Sequence, residues 1–448
     1  MVGIEGDETR RLAESILDAS GADGTEVIVT RKDTALTRFA NSEIHQNVRE
    51  SGVVVRVRVI SGSRAGVAAT NQLDEASLRD VLARAEETAR FQPERDDPPL
   101  LAPPAETATV ALDEATADAT PEDRAARVGA ICRQADAAGV RAFGALSTGV
   151  TEYAVANSRG LFVHAPRAIA ELRVVTMSDG GSGYADRGSA RLADVDAEEA
   201  GREAVEKALS TRDAEAIEPG VLPVVLQEYA VGDLLQYLSY IGFNGLAVEE
   251  GRSFMRPGER ITGRQVSIWD DGLDPAGLPL PFDFEGVPRR RVDLITEGVA
   301  TGLVHDLASA ARASVASTGH GLPAPNPFGA WATNLFMAGG DAPSRESLTE
   351  GIKRGVWVTR LHYVNIVDPR RSSLTGMTRD GTFLIENGRV TRPIKDLRFT
   401  QSVMEAFSGV IAMTRATTLE PGDDYDYTSA ARVPAVALEG FNFTSATR

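Results

Sequence analysis

A short acidic segment at residues 213–219 separates two halves of the chain that differ in how their apolar residues are arranged. Before this segment, apolar residues recur at helical spacing or in alternating runs, whereas after it short apolar runs are divided by Gly and Pro. A change of pattern at a polar, proline-containing stretch is typical of a domain boundary. We therefore predict two domains, residues 1–215 and 216–448, in a chain whose 448 residues could also hold three.

The first half is predicted to be a domain in which helices pack on a mixed sheet. Apolar residues at spacings of three and four predict helices over residues 8–20, 73–91, 121–138 and 195–210. Runs rich in Val and Ile predict strands over residues 26–31, 51–60, 150–156 and 161–177. Helices and strands in this order indicate an α+β architecture.

The second half is predicted to be rich in strands. Asn387-Gly388 lies between apolar residues, and this dipeptide favours a tight hairpin turn because the turn needs positive φ. Helical spacing predicts a helix over residues 227–241, and a Ser344 cap predicts another over residues 344–354. The complete chain is therefore expected to be an α+β protein with a strand-rich C-terminal domain.

Charge and cysteine content exclude several functions. The formal net charge is −17 at pH 7, which argues against direct nucleic-acid binding because that binding depends on clustered Lys and Arg. Cys132 is the only cysteine, so neither an intrachain disulfide nor a zinc site with two thiolates can form. The sequence shows no export signal and no run of about 18 apolar residues. We expect a cytoplasmic protein that does not cross a membrane.

Six short segments occur in the order seen in one known family. They are Asn71-Gln-Leu73, Asn157-Ser158-Arg-Gly160, Pro223-Val-Val-Leu226, Ser317-Thr-Gly-His320, Gly355-Val-Trp-Val-Thr359 and Ile385-Glu-Asn-Gly388. From about Ala13 to about Met413 the chain thus resembles the TldD/PmbA family, also described as modulators of DNA gyrase. The resemblance implies a cytoplasmic, zinc-dependent peptidase in which an active TldD subunit joins an inactive TldE, or PmbA, subunit.

The resemblance also implies where a metal motif would lie. Active members carry His-Glu-x-x-x-His on the helix that opens the second domain, and a further Cys ligand near the C-terminus. Here the motif positions hold Glu228, Tyr229 and Asp233, and the stretch from Leu419 to Thr428, where the Cys is expected, has none. Zinc hydrolysis needs imidazole and thiolate ligands and a carboxylate base. We therefore predict no catalytic residue, metal or cofactor in this chain, with zinc only in a catalytic partner.

The replacement carboxylates do not make a strong alternative metal site. Glu228 and Asp233 are five residues apart and point about 140° apart on a regular helix. Two such groups would hold Mg²⁺ or Ca²⁺ only weakly. We interpret them as part of a solvated helix end, which is common in an acidic chain.

A loop rich in Gly and Pro is the candidate substrate-binding segment. It contains Thr318, Gly319 and His320, and loops on a rigid scaffold often carry binding groups. We predict that these residues and Asn334 bind substrate. The alternative, a turn that only connects strands, stays open.

The preferred hypothesis is a TldE-like, non-catalytic subunit that assembles with a TldD-like homologue and handles peptide or unfolded-protein substrates. Two alternatives stay open: a divergent stand-alone peptidase or hydrolase using Glu228, Asp233 or His320, and a peptide-binding homo-oligomer. Whether the chain is an enzyme by itself is undecided from the sequence. The apolar stretch from Phe328 to Met337 is either core or, where it stays exposed after folding, part of an interface, and we expect a dimer or larger assembly.

Overall fold

A six-stranded antiparallel sheet organises the first half. The structure is a computed structural model that describes residues 6–422 and 429–446. The strands of this sheet are β1 (Gly24–Ala40), β2 (Glu43–Ser61), β3 (Arg64–Thr70), β4 (Arg141–Asn157), β5 (Phe162–Ser178) and β6 (Gly181–Ser189). They pair in the order β3-β2-β1-β4-β5-β6, and every neighbouring pair is antiparallel.

Five helices accompany this sheet. They are α1 (Gly6–Ala19), α2 (Glu75–Phe91), α3 (Glu114–Ala117), α4 (Pro121–Ala137) and α5 (Ala197–Ser210), with a 3₁₀ turn at Leu192–Asp194. The start of α4 is a capping box, because Thr120 and Asp123 each bond the backbone N–H of the other. The helices bury their apolar faces against the sheet, which accounts for the 3.6-residue periodicity of the sequence.

The two faces of the sheet have different neighbours. Val27 and Val29 of β1 pack in the cluster that includes residues of α1 and α2. Ile28, between them, packs with Val155 of β4 and with Phe282 of the second half. Successive residues of a strand point to opposite faces. The second half therefore covers apolar residues on the face that the helices leave open.

The second half holds thirteen strands among the described residues, in two sheets. They are β7 (Gly220–Leu226), β8 (Ile268–Asp270), β9 (Val292–Thr296), β10 (Val299–Ala300), β11 (Asn334–Met337), β12 (Arg354–Asp368), β13 (Ser373–Glu386), β14 (Arg389–Pro393), β15 (Leu397–Ser402), β16 (Val410–Met413), β17 (Thr418–Pro421), β18 (Ala430–Val433) and β19 (Val436–Ala446). One sheet has the order β10-β9-β8-β11-β18-β17, and the other has the order β12-β7-β19-β15-β13-β14 with β16 beside β19.

A further pairing between β12 and β13 closes the second of these sheets into a ring of five strands, β12, β7, β19, β15 and β13. The helices of this half are α6 (Glu228–Gly242), α7 (Gly245–Glu249), α8 (Leu307–Ala313) and α9 (Val403–Ser408), with 3₁₀ turns at Glu346–Thr349 and Pro369–Arg371. Only Gln227 separates β7 from α6. Residues of β7, α6 and β15 share the largest buried apolar cluster, which holds α6 against the ring.

The α+β prediction with a strand-rich second half is confirmed. The predicted hairpin is also confirmed, since Asn387 and Gly388 have φ of 50° and 77° between β13 and β14. The helix predicted over residues 344–354 is wrong, because only Glu346–Thr349 forms a 3₁₀ turn. Gly351 has a φ of 81°, a left-handed conformation that ends any helix there.

The apolar stretch from Phe328 to Met337 is mostly core. Ala330, Ala332 and all of β11 are buried, whereas Phe328 is 47% exposed. This burial agrees with the alternative that the stretch is core, and an interface in a dimer or larger assembly stays a prediction. The division at residue 215 lies in the segment that joins α5 to β7, and two separate domains stay a prediction. None of the helices in the described residues has both the length and the apolarity needed to cross a membrane.

Candidate functional site

One face of α6 lines a cavity between the two halves. Five of the six lining residues of this helix recur at helical spacing, Tyr229, Asp233, Gln236, Tyr237 and Tyr240, and the sixth is Ser239. The cavity has a volume of about 630 Å³, a size typical of small-molecule and short-peptide sites. The helix on which the resemblance places a metal motif therefore also forms a wall of a cavity large enough for a ligand.

The remaining walls come from both halves. The first half contributes Arg173, Tyr184 and Asp186, and the second contributes residues 360–365, Trp331, Glu420 and Pro421, among others. The two lining arginines are paired: Arg173 Nε donates to Asp186 at 2.9 Å, and Arg360 Nε donates to Asp380 at 2.7 Å. Tyr184 OH also donates to Asp186, at 2.7 Å. The positive charges of the wall are thus largely neutralised by nearby carboxylates.

A group of buried charges lies beside the start of α6, and we call it the junction network. It consists of Arg187, Glu203, Lys207, Glu228, Tyr229 and Arg345. Arg187, Glu203 and Lys207 belong to β6 and α5 of the first half, and the other three belong to the second. The network therefore joins the two halves by charge pairing.

Both N-terminal positions of the degenerate motif take part in this network. Arg345 Nε lies 2.7 Å from Glu228 Oε2, and Glu228 is only 3% exposed. Arg187 Nη1 donates to the Tyr229 hydroxyl at 2.5 Å, and this hydroxyl donates to Glu203 at 3.1 Å. The interpretation of Glu228 as part of a solvated helix end is therefore wrong. It is a buried carboxylate with a cationic partner.

Glu203 is the centre of the network. Its carboxylate accepts from Arg187 and from Lys207, each at 2.6 Å, and from Arg345 at 3.4 Å. Burial alone would raise the pKa of Glu203, but Lys207 and Arg187 outweigh burial and hold this pKa well below its ordinary value. Glu203 therefore stays ionised, which a buried carboxylate does only with cationic partners.

Tyr229 has the opposite electrostatic behaviour. Burial, together with the charge of Glu203, raises the pKa of Tyr229 well above its ordinary value. The side chain therefore remains a neutral phenol near neutral pH. It cannot act as the carboxylate base that the active motif carries at this position.

Glu420 also lines the cavity. It is 5% exposed, its Oε1 atom has no hydrogen-bond partner among the described residues, and its side chain packs over Gly232 of α6. Burial raises the pKa of Glu420 well above its ordinary value, and the charges of Asp186, Glu228 and Asp233 raise it further against the opposing effect of Arg187. Sequence reasoning did not single out this residue.

The predicted substrate-binding residues lie elsewhere, in what we call the histidine cluster: Asp270, Thr318, His320 and Asn334. His320 Nε2 is 2.8 Å from Asp270 Oδ1, and the backbone N–H of Asn334 donates to Asp270 Oδ2 at 2.7 Å. His320 Nδ1 lies 2.9 Å from both oxygens of Thr318. All four residues are buried, and His320 is 0% exposed.

None of the histidine cluster lines the cavity. Gly319, the fourth predicted binding residue, has a φ of 74°, and a Cβ there would lie 2.4 Å from the carbonyl oxygen of Pro288. Its role is to let the backbone turn in a confined space. This geometry gives the predicted substrate contact by Thr318, Gly319, His320 and Asn334 no support.

Three models of one protein family match successive parts of the chain. They are described as PmbA/TldA metallopeptidase domain 1, central domain and C-terminal domain, and they match residues 25–89, 98–212 and 219–445. The chain belongs to the PmbA/TldD family.

Individual relatives agree with this membership. Metalloprotease TldD homologs of Haemophilus influenzae and Buchnera aphidicola are 28% and 26% identical, over 49% and 47% of this chain. The chain matches only 46% and 44% of those two proteins, which is under half of their length. The crystal structure of TldE from Thermococcus kodakarensis has a TM-score of 0.85 at 20% identity, covering 98% of this chain and 100% of that one. This likeness shows the fold alone.

In this PmbA/TldD protein, the side chains at the motif positions do not fit zinc. Glu228 is engaged by Arg345, Tyr229 is a neutral phenol, and Asp233 faces the cavity. Within residues 6–422 and 429–446, no group of three His, Cys, Asp or Glu side chains is arranged to hold a metal ion. Residues 423–428, part of the stretch in which the family's Cys ligand was expected, lie outside the described residues.

Sequence reasoning missed the partners that engage the motif positions of this PmbA/TldD protein. Glu203 and Lys207 are four residues apart on α5, a spacing that predicts a pair along one helix. Nothing in one sequence indicates that Arg345, 142 residues further on, reaches the same carboxylate. Glu420 likewise has no local signal, because its environment is created by α6.

Proposed function

We propose that this chain is a non-catalytic, TldE-like subunit of a two-subunit peptidase. It assembles in the cytoplasm with a homologue that carries an intact His-Glu-x-x-x-His motif, and the cavity beside α6 contributes to the handling of peptides. Zinc and the hydrolytic step belong to the partner, and this chain supplies binding surface.

The single observation that carries the proposal is the use of the motif positions by the junction network. A metal-bound water needs an open coordination position and a nearby carboxylate base. Here Glu228 and Tyr229 instead join the two halves through Arg345, Arg187 and Glu203. Family membership and the TldE name of a relative with the same fold are consistent with a subunit role.

The first test is zinc content. The purified chain is expected to contain less than about one zinc per ten chains, because carboxylates and a phenol are poor zinc ligands compared with imidazole and thiolate. Elemental analysis would contradict the proposal if it found one zinc per chain that is lost in Asp233→Ala. Glu439→Gln, which removes an exposed carboxylate that does not line the cavity beside α6, is the matched control.

The second test is reconstitution with a homologue that has the intact motif. The two chains are co-expressed, and the mass and peptidase activity of the complex and of each chain are measured. We expect a complex containing both chains, and chelator-sensitive cleavage that disappears when the homologue's motif Glu is changed to Gln. Cleavage by this chain alone would favour a stand-alone hydrolase, and a purely self-associated chain with no cleavage would favour a peptide-binding oligomer.

A third test addresses the motif directly. Tyr229→Glu restores a carboxylate at the general-base position but supplies no metal ligand. We expect no peptidase activity in this variant. Chelator-sensitive cleavage by Tyr229→Glu alone would show that a metal site exists in this chain.

A further inference from the structure

Glu420 is a buried carboxyl group on the cavity wall. Within residues 6–422 and 429–446, no Lys, Arg or His lies within ion-pair distance of it, and its Oε1 atom accepts no hydrogen bond from any of these residues. Leaving a buried polar atom unpaired is unfavourable, by about 1–3 kcal/mol. Such an atom beside a cavity of about 630 Å³ indicates a place for a donor from a ligand.

The charges around Glu420 favour a cationic ligand over an anionic one. Arg173 and Arg360, the arginines of the cavity wall, are paired with Asp186 and Asp380. Asp233 also lines the cavity, and Glu420 packs against its neighbour Gly232. The local potential at Glu420 is therefore negative.

The other walls favour an organic cation over a metal ion. Tyr229, Tyr237, Tyr240 and Trp331 line the cavity, and aromatic faces attract ammonium groups. Ca²⁺ or Mg²⁺ prefers several oxygen ligands, whereas no three acidic or imidazole groups converge here among the described residues. The geometry points to a binding site for a primary ammonium group, held by Glu420 against the aromatic face of α6.

Peptides carry this group at the N-terminus and on lysine side chains, so the test separates these two sources. The ammonium site rests on the proposed function in one respect, which is that peptides are chosen as the probes. It needs neither zinc nor cleavage, and its failure is therefore distinguishable from failure of the subunit proposal.

Binding is expected to release a proton. In the empty cavity burial raises the pKa of Glu420, and the charges of Asp186, Glu228 and Asp233 raise it further against Arg187, which favours the protonated carboxyl group. An ammonium group favours the ionised carboxylate, so the proton leaves as the cation binds. Affinity should therefore increase as the pH rises above 4.5, the ordinary pKa of a Glu side chain.

The experiment is isothermal titration of the full chain with matched peptide pairs. Tetra-alanine is compared with N-acetyl-tetra-alanine, and N-acetyl-Ala-Lys-Ala-amide with N-acetyl-Ala-norleucine-Ala-amide. At least one ammonium-bearing member should bind about tenfold more tightly than its neutral partner, the effect of one hydrogen bond to a charged group. The pair that shows the difference identifies the source of the ammonium group.

Glu420→Gln should abolish this preference and the pH dependence, while leaving the neutral peptides unaffected. This variant should fold, because Gln preserves the shape of a side chain that is uncharged in the empty protein. Glu439→Gln, the exposed control, should keep the full preference. Equal affinities within both pairs, or a preference that persists in Glu420→Gln, would overturn the inference. Saturable binding of MgCl₂ or CaCl₂ that is lost in Glu420→Gln would replace it with a metal site.

Discussion

The junction network and the histidine cluster are both buried and both polar, yet they differ in where their members originate. The network joins long charged side chains of both halves beside a cavity. The histidine cluster joins short side chains and backbone groups of the second half alone, with no access to the cavity. In the sequence, His320 in its Gly-rich loop was the stronger candidate for a binding residue than Glu228 or Tyr229 on a helix.

This difference shows that residue type alone does not identify a site. His320 has its ring nitrogens fully used by Asp270 and Thr318, so nothing is left for a ligand. Glu228 and Tyr229, at the positions where the resemblance places the metal motif, are bonded to other members of the junction network. Location relative to a cavity and to the contact between halves separates these two cases.

The largest effect is expected for Glu203→Ala. This change leaves Arg187, Lys207 and Arg345 close together and largely buried without their shared carboxylate. Removing one partner of a buried ion pair typically lowers the free energy of unfolding by about 3–5 kcal/mol. Chemical denaturation monitored by circular dichroism measures this loss.

The matched control for Glu203→Ala is Glu405→Ala. Glu405 pairs with Arg371 at the surface, where both side chains are about two-thirds exposed. Exposed pairs contribute about 0–1 kcal/mol, so this variant should be nearly as stable as the parent. Equal losses for the two variants would show that the junction network has no special role.

A somewhat smaller effect is expected for His320→Ala. The variant leaves Asp270 Oδ1 buried without a donor, which should lower the free energy of unfolding by about 2–3 kcal/mol. Peptide binding should remain unchanged, because His320 does not line the cavity. If His320→Ala lost peptide binding but kept its stability, the histidine cluster would be a binding site and His320 a binding residue.

The stability that the junction network contributes should depend on pH, and this effect is expected to be smaller than those of the substitutions above. The pKa of Glu203 is lower in the folded chain than its ordinary value of 4.5. The stability it provides is therefore fully present above pH 4.5 and is lost as the pH falls below it. The difference in free energy of unfolding between the parent and Glu203→Gln should shrink by about 1–2 kcal/mol between pH 6 and pH 3. A difference independent of pH would contradict the ionised state of Glu203.

The smallest effect is expected for Gly232→Ala. The added Cβ would lie 2.7 Å from Cβ of Glu420 and so push this side chain from its place. Overpacking costs about 1–3 kcal/mol, and the better helix propensity of Ala returns about 1 kcal/mol, which leaves a net loss of about 1 kcal/mol. Ammonium binding should weaken together with stability.

Gly129→Ala is the control for this change. Gly129 also lies within a helix, but an added Cβ there meets only the end of the Arg133 side chain, at 3.2 Å. This variant should be as stable as the parent or slightly more stable. If Gly129→Ala lowered the free energy of unfolding as much as Gly232→Ala, contact with Glu420 would not explain the effect at Gly232.

Sequence patterns predicted the parts of the fold that bury a regular apolar face. The helices near residues 75–91 and 121–137 and the apolar core of β2 were found because their periodicity reflects burial. The ladder between β1 and β2 extends much further, to Ala40 and Glu43, and the β2 residues in this part are mostly polar and exposed. Backbone hydrogen bonds hold that part together, and they leave no apolar pattern to recognise.

The sequence predicted where the site lies but not which residues surround it. The degenerate motif marked the start of α6, where the cavity lies, because the resemblance aligned three residues with a known pattern. The partners of those residues come from α5, from β6 and from Arg345, which directly precedes the 3₁₀ turn at Glu346–Thr349. Long-range charge pairing depends on the complete fold, so one sequence does not reveal it.

The apolar cluster that spans both halves also determines how the chain comes apart. Val155 and Leu161 of the first half are fully or almost fully buried in it with Phe282 and Phe284 of the second. Separating the halves would expose these side chains to water, at about 25 cal/mol for each Å² of apolar surface. The halves should therefore melt in one cooperative transition, and cleavage by a protease at residues 211–219 should leave two fragments that stay together until both unfold.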